Sequence, residues 1–325
     1  MLEDFTHRPN TNDCEWNESY YFTFYTREYS LRGMTRIGFK PNKQEGMSFF
    51  LLFLPDGSAA AYQAKERMQD YGVNQTLRVG SMAHQRFSDR TWRYSFKDNM
   101  VVVKNPRDFI NVKEHPEMIS QILPVQMNLS YIPHSKVYEY SEHMTPESLE
   151  LGKKSGDEHW EQIGIINGEI KVGTKTYAIM RMMGQRDHTH GIRDWANVGN
   201  WLYYVIWFSE ELAVNPAAIV ADDGRISAAG FLYKNGENIP IKSIRIIEQR
   251  FESEIFPISS KLEITDGQGK IHLLKGEAEA GIPIPFVDEK GKQAILTQAF
   301  GKFELDGVSN GYGTFETLRK VEKKR

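Results

Sequence analysis

The chain holds a single cysteine, Cys14. That excludes an internal disulfide and any cysteine-rich metal cluster. Nothing in its local sequence marks a nucleophile, so a structural place is expected for it. Long apolar runs are also missing. The longest, Met47–Pro55, is too short to cross a bilayer as a helix. The first residues, Met1–Pro9, hold no apolar h-region, so no secretory signal is expected and a cytoplasmic protein is. Charge of one sign is lacking too: 40 Lys and Arg stand against 43 Asp and Glu, a net charge of −3. This leaves no basic footprint for nucleic acid and no polybasic patch for an anionic membrane. The one basic cluster, Arg319–Arg325, reads as a solvated tail. Helix signals are scarce. Only Thr145–Leu151 has them, with Thr145 as cap, Pro146 in the first turn and Glu147 following.

What remains is a β grammar. Alternating apolar and polar runs recur at Tyr20–Thr26, Met34–Lys40, Phe49–Leu54, Ala59–Ala64, Gln75–Ala83, Thr91–Lys97, Met100–Lys104 and Ile122–Ile132. Pro55-Asp56-Gly57 separates two of them as a tight turn. The second half repeats the pattern. Asn167-Gly168, Asp223-Gly224, Asn235-Gly236 and Asp266-Gly267 each stand between strand-like runs. A chain of 325 residues with 26% charged and 40% hydrophobic residues is long enough for two globular domains. The fold expected is all-β, built as antiparallel barrels or sandwiches. The boundary is placed within Ser141–Gly156, giving domains 1–148 and 149–325.

One segment departs from this grammar. Arg186–Trp195 reads Arg-Asp-His-Thr-His-Gly-Ile-Arg-Asp-Trp, and seven of its ten residues are charged, His or Trp. Unpaired buried charge is very costly, so such residues in a β chain need partners. On a strand, Asp187 and Thr189 share one face, and His188, His190 and Ile192 share the other. Three readings follow. In the first, Asp187 or Asp194 is an acid partnered by His188 or His190, with a proton moving near neutral pH. In the second, His188, His190 and Asp194 follow the His-x-His-x-x-x-carboxylate spacing of a cupin first motif and hold a metal in a 2-His-1-carboxylate set. The lack of a second such motif weighs against this. In the third, Arg186–Asp187 and Arg193–Asp194 pair and pin a loop.

The pattern Gly184-x-Arg186-Asp187-His188-x-x-Gly191-x-Arg193-Asp194-Trp195 resembles the signature of the hydroxyneurosporene synthase family, the carotenoid 1,2-hydratases and their bacterial relatives. In those relatives the segment reads Gly-x-Arg-Asp-His-Ser-Trp-Gly-x-Arg-Asp. Trp16–Phe22, the Gly33–Asn42 stretch, His159-Trp160-Glu161-Gln162 and Gly311-Tyr312-Gly313-x-x-Glu316 agree with other parts of the family pattern. The resemblance covers nearly the whole chain. It implies two lipocalin-like barrels packed side by side, with an apolar small-molecule pocket at or near their junction. It also implies water addition across a C=C bond without a cofactor: protonation of the alkene, a carbocation against aromatic faces, and capture by water. Asp187 and His188 carry the family's Asp-His. His190 stands where the family has a Trp.

On this reading Asp187, His188, His190 and Asp194 are the expected catalytic residues. Arg186, Arg193, Trp195, Trp16, Glu18, Glu161, Trp201 and Tyr203 are the expected substrate contacts. A charge pair of Glu18 with Arg36 inside a barrel, and a core role for the aromatic strand around Trp201 and Tyr203, are the structural alternatives. Glu316 is a weaker candidate. The expected partner is a hydrophobic small molecule, with no nucleic acid and no integral membrane segment; a homodimer is an open option. Three functions stay in play: a cofactor-independent hydratase, lyase or isomerase acting on a hydrophobic, isoprenoid-like substrate; a carrier of a hydrophobic ligand; and a metal-dependent enzyme using His188, His190 and Asp194.

Overall fold

The alternating runs become strands in a computed structural model of the chain, which describes residues 5–28, 30–68 and 76–321. The first eight are β1 (Trp16–Tyr25), β2 (Arg32–Lys40), β3 (Glu45–Phe53), β4 (Ala59–Arg67), β5 (Thr76–Val79), β6 (Met82–Arg86), β7 (Trp92–Val103) and β8 (Ile119–Pro133). There follow β9 (Tyr138–Glu139), the helix α1 (Pro146–Gly152), β10 (Glu158–Val172) and β11 (Lys175–Ile192). The rest are β12 (Asn200–Tyr203), β13 (Ile206–Ser209), β14 (Leu212–Val220), β15 (Ile226–Lys234), β16 (Glu237–Glu252), β17 (Phe256–Asp266), β18 (Ile271–Ala278), β19 (Ile282–Val287), β20 (Gln293–Gln298), β21 (Phe300–Leu305), β22 (Val308–Thr314) and β23 (Glu316–Val321).

The chain divides into two compact units, residues 1–137 with 156–193, and residues 138–155 with 194–325. This differs from the contiguous cut expected at 148/149, and the reason is barrel closure. Strands β1, β2, β3, β4, β7 and β8 supply six staves and leave bare hydrogen-bonding edges on β1 and β8. The β10–β11 hairpin fills both: β11 pairs with β1 and β10 with β8, all antiparallel. With the β4–β7 pairing, eight strands close into a ring. A closed ring has no free edge to satisfy. The β5–β6 hairpin pairs with the first part of β7 and adds Leu77, Val79 and Met82 to the same core. Alternate residues point inward and fill the lumen, among them Phe22, Phe24, Ile37, Phe50, Leu52, Tyr94 and Tyr131.

The second unit repeats the solution. Strands β14, β15, β16, β17, β18, β21 and β22 follow one another, and β13 pairs with both β14 and β22 to close eight strands. The aromatic stretch around Trp201 and Tyr203 is broken into β12 and β13 at Tyr204-Val205. Leu202, Tyr204, Ile206, Leu262, Leu274 and Phe303 form its core.

Local signals fall mostly where the sequence puts them. Thr145 caps α1, its hydroxyl accepting from the Ser148 N–H at 3.1 Å. Gly57 and Gly224 turn their hairpins with positive φ. Asn167-Gly168 does not make a turn. It lies inside β10, in unbroken register with β8 and opposite a bulge in β11 at Met180-Arg181. Gly168, at φ +140°, is needed there because a Cβ would sit 2.1 Å from the Asn128 carbonyl oxygen. The run Gln75–Ala83 is two strands turned at Gly80-Ser81. Gln75, Met1–Asp4 and the end of the basic tail lie outside the described residues.

Candidate active site

Strand β11 carries the site, and its neighbours decide what each side chain meets. Across β1, Tyr20 stands opposite His188, Tyr21 opposite Asp187 and Ser19 opposite Thr189. Across β10, Trp160 stands opposite His188 and Glu161 opposite Asp187. Side chains alternate along each strand. Glu18, Tyr20, Trp160, Arg186, His188 and His190 therefore face the lumen. Asn17, Ser19, Thr23, His159, Glu161, Gln185, Asp187 and Thr189 face outward. Every residue of β1 is buried, on both faces. Polar groups on its outer face must then find partners in the protein or in a ligand.

On the outer face two carboxyl groups meet. Asp187 and Glu161 are direct register partners, and both are buried. His159 bridges them: its Nε2 lies 2.9 Å from Glu161 Oε1 and 3.7 Å from Asp187 Oδ2. Gln185 donates to Glu161 Oε2 at 2.9 Å and accepts from the Thr23 hydroxyl at 2.8 Å. Burial pushes the Asp187 carboxyl up to about 6; the nearby Glu161 adds to this, while His159, Arg193 and Arg36 oppose it. Burial likewise pushes His159 down to about 4. Both changes favour the neutral forms of the two groups. Beside them, Asn17 Nδ2, Ser19 Oγ and Thr189 Oγ1 are buried with no hydrogen-bond partner. This face combines a carboxyl pushed up toward neutral pH, a second carboxyl, an imidazole and three polar atoms lacking protein partners.

In the lumen Glu18 is the centre, with no exposed surface. His188 Nε2 hydrogen-bonds its Oε1 at 2.6 Å, the Tyr20 hydroxyl donates to the same oxygen at 3.2 Å, and His7 Nδ1 lies 3.3 Å away. Burial would raise the Glu18 carboxyl, but the bonds from His188 and His7 outweigh it and leave the group below its ordinary value. Aromatic rings wall the cluster. Tyr20 stacks on His188 at 4.1 Å between centroids, and Trp160 lies 5.5 Å from His7 and 5.0 Å from His188. His190 sits 4.1 Å from His7 and pairs with Glu158 at 3.3 Å. Burial pushes His190 down to about 4. Arg186 donates to Gln162 at 2.8 Å and lies over the Trp92 ring.

The expected pairings are rearranged. Asp187 and His188 do not act as one pair: they are neighbours on a strand and so occupy opposite faces. The carboxylate on His188 is Glu18, and the histidine near Asp187 is His159. Asp194 pairs with neither His188 nor His190 in any described contact; it belongs to the second unit, where both of its oxygens accept from Asn197 at 3.0 Å. The set His188, His190 and Asp194 is accordingly not assembled, because β11 ends at Ile192 and Asp194 enters a turn. Arg193 binds through its backbone N–H to the Glu15 carbonyl, and its charge acts on Asp187 and His159. Glu18 and Arg36 do not pair within the barrel: Arg36 is on the outer face and donates to Asn17 at 3.0 Å. Trp16 stacks on His190 at 5.9 Å. In the second unit Trp195 stacks on Phe286 at 4.5 Å, Trp201 donates to Glu316 at 3.2 Å, and Tyr203 is buried beside them on the same strand face.

Several members of these clusters escaped the sequence reading. His7, Gln185 and Thr23 carry no local signature; His159 stands in a stretch that agrees with the family pattern but is not among the expected site residues. A two-residue alternation of Trp16, Glu18 and Tyr20 was the available signal for the lumen, but its partners are some 170 positions away. In the second unit His272 is held between Asp306 at 2.7 Å and Asp266 at 3.0 Å.

Two closed antiparallel β barrels, the first with carboxyl–histidine clusters on both faces of one strand, define the class. The chain belongs to the family described as a domain of unknown function (DUF7064), whose model matches residues 2–321. No curated protein matches it. Solved structures share the architecture. An AttH candidate from Nitrosomonas europaea aligns with TM-score 0.64 and 12% identity over 93% of this chain and 92% of that one. Kievitone hydratase from Nectria haematococca aligns with TM-score 0.58 and 10% identity over 94% and 89%. CghA with Sch210972 aligns with TM-score 0.59 and 9% identity over 99% and 94%. At such identities the likeness concerns the fold. Among the described residues no helix is long and apolar enough to cross a membrane.

Proposed function

We propose that this protein is a hydratase or lyase, or a related isomerising enzyme, that acts on a C=C bond of a hydrophobic small molecule by acid–base chemistry without a redox cofactor. The observation that carries the reading is the Asp187–Glu161 pair, two buried carboxyl groups in register and bridged by His159, beside three buried polar atoms without protein partners. Protonated Asp187 gives its proton to one alkene carbon. The cation that forms at the other carbon lies against the ring of Tyr21, the register partner of Asp187. Water adds its oxygen there, and its proton passes to Glu161 and returns through His159 to Asp187. Asn17, Ser19 and Thr189 are placed to hold the water or a polar group of the substrate. Charge balances without any oxidant. The similar fold of a kievitone hydratase supports the reaction class, and the resemblance to carotenoid hydratases makes an isoprenoid the substrate class to try first.

The test starts from ligands released on denaturing the purified protein and identified by mass spectrometry. These and a panel of isoprenoid alkenes are incubated with the protein in isotope-labelled water. Wild type is expected to incorporate or release labelled water, and folded Asp187→Asn to bind the same compound without turnover. Wild-type turnover in that variant would overturn the assignment.

A further inference from the structure

The lumen cluster is not used by that chemistry, and it has its own logic. Three segments far apart in sequence converge there: His7 before β1, Glu18 on β1 and His188 on β11. One donor atom from each lies within 4.8 Å of the others. Glu18 Oε1 already receives His188, His7 and Tyr20, whereas Glu18 Oε2 is fully buried with no partner. A buried carboxylate oxygen left bare is costly, and a cation held by both oxygens of Glu18 would satisfy it. We infer that His7, Glu18 and His188 form a binding site for a first-row divalent transition metal in the lumen of the first barrel.

The donor types select the metal class. Two imidazoles and one carboxylate suit zinc, cobalt(II), iron(II) or manganese, and suit calcium and magnesium poorly because those prefer all-oxygen sites. With metal–ligand bonds near 2.05 Å, donor atoms of a tetrahedral site stand about 3.3 Å apart. The His7–Glu18 separation is 3.3 Å; the His188–Glu18 contact, at 2.6 Å, must open by roughly 0.7 Å for a cation to enter. The surroundings are those of a supported site. The Tyr20 hydroxyl holds the carboxylate from outside, and Tyr20 and Trp160 stack on the imidazoles and fix their planes. The site differs from the His188, His190, Asp194 set read from the sequence: Glu18 replaces Asp194, and His7 replaces His190. It also ties the N-terminal segment to the barrel, since His7 is its only ligand from outside the strands.

The test uses the full chain, stripped by a chelator and titrated with Co²⁺, then with Zn²⁺ in competition. The readouts are the visible absorption of bound cobalt and metal analysis after gel filtration. One equivalent per chain is expected. His7 lies outside every barrel strand, so His7→Ala leaves the fold intact, which circular dichroism verifies, and it is expected to weaken binding by at least about tenfold. Asp187→Asn is expected to keep wild-type metal affinity while losing turnover, which separates this site from the proton-transfer face. Absence of stoichiometric binding, or equal affinity in wild type and His7→Ala, would overturn the inference.

Discussion

Asp187 and His188 are consecutive in the chain and serve different faces of one sheet: Asp187 meets Glu161 outside the barrel, and His188 bonds Glu18 inside it at 2.6 Å. The backbone between them is an ordinary strand, so the separation follows from strand geometry alone. Substitutions at the two positions should therefore separate cleanly.

His188→Ala removes the strongest partner of a carboxylate that is wholly buried. Leaving such a charge undercompensated costs about 3 kcal/mol or more. Asp187→Asn keeps shape and removes a group that folding already favours as neutral, so its cost should be below about 1 kcal/mol. Urea denaturation of both variants measures the difference. Equal losses would mean that the two carboxyl–histidine groups are energetically one cluster.

Thr23→Val tests the outward hydrogen-bond chain. The hydroxyl of Thr23 is what the Gln185 carbonyl accepts from, and the Gln185 amide in turn holds Glu161. Valine keeps the shape and removes the Thr23 donor from a buried carbonyl, a loss of about 1–3 kcal/mol. Turnover should fall as well, because Glu161 loses its second-hand support. A fully stable and fully active Thr23→Val would show that Gln185 positions nothing.

Two glycines with positive φ should respond very differently to alanine. Gly224, at φ +86°, has open space where a Cβ would go, so the change costs only backbone strain of about 1 kcal/mol. At Gly168 the Cβ would lie 2.1 Å from Asn128 O and 3.0 Å from Leu129 Cα, both backbone atoms that cannot step aside. Gly168→Ala should lose several times as much, and the β8–β10 pairing should lose hydrogen-exchange protection. Similar melting temperatures for the two variants would contradict the close β8–β10 approach at Gly168 as a fixed feature.

The second unit should lose stability in acid through Asp266 and Asp306, the two carboxyls that meet at His272. Burial would raise the carboxyls of Asp266 and Asp306, yet both sit below their ordinary value of 3.8. Asp266 is held by His272 and by the N–H groups of Lys270 and Gln268; Asp306 is held by the Leu273 N–H and by His272, with Lys270 3.9 Å away. A carboxyl lowered by folding contributes stability that is complete above 3.8 and is lost as pH falls through the folded value. Wild type should thus lead Asp306→Asn at neutral pH, and the lead should shrink on acidification below about pH 4. Urea midpoints taken across that range check it; a lead that grows in acid would reverse the sign.

Fold class was legible because it rests on local regularities. Period-two alternation, Asp-Gly and Asn-Gly turns and the Thr145 cap are short-range signals, and most reappear as strands, hairpins and α1. Asn167-Gly168 shows the limit. The same dipeptide that turns a hairpin also sits within a strand opposite a bulge, and only the partner strands β8 and β11 select between them. The discontinuous make-up of the first unit was not legible for a related reason: closure of the first barrel depends on hydrogen-bonding edges of β1 and β8 that no local pattern reveals.

The sequence by itself determined an all-β chain in two units, with one polar strand that had to find partners. It also set which side chains of that strand share a face, since alternation is a property of the extended backbone. Tertiary structure alone decided who the partners are. Register across β1 and β10 brought Glu18 to His188, and Glu161 and His159 to Asp187, over separations of up to 170 residues. Those pairings follow from ring closure, and closure is a property of the whole barrel.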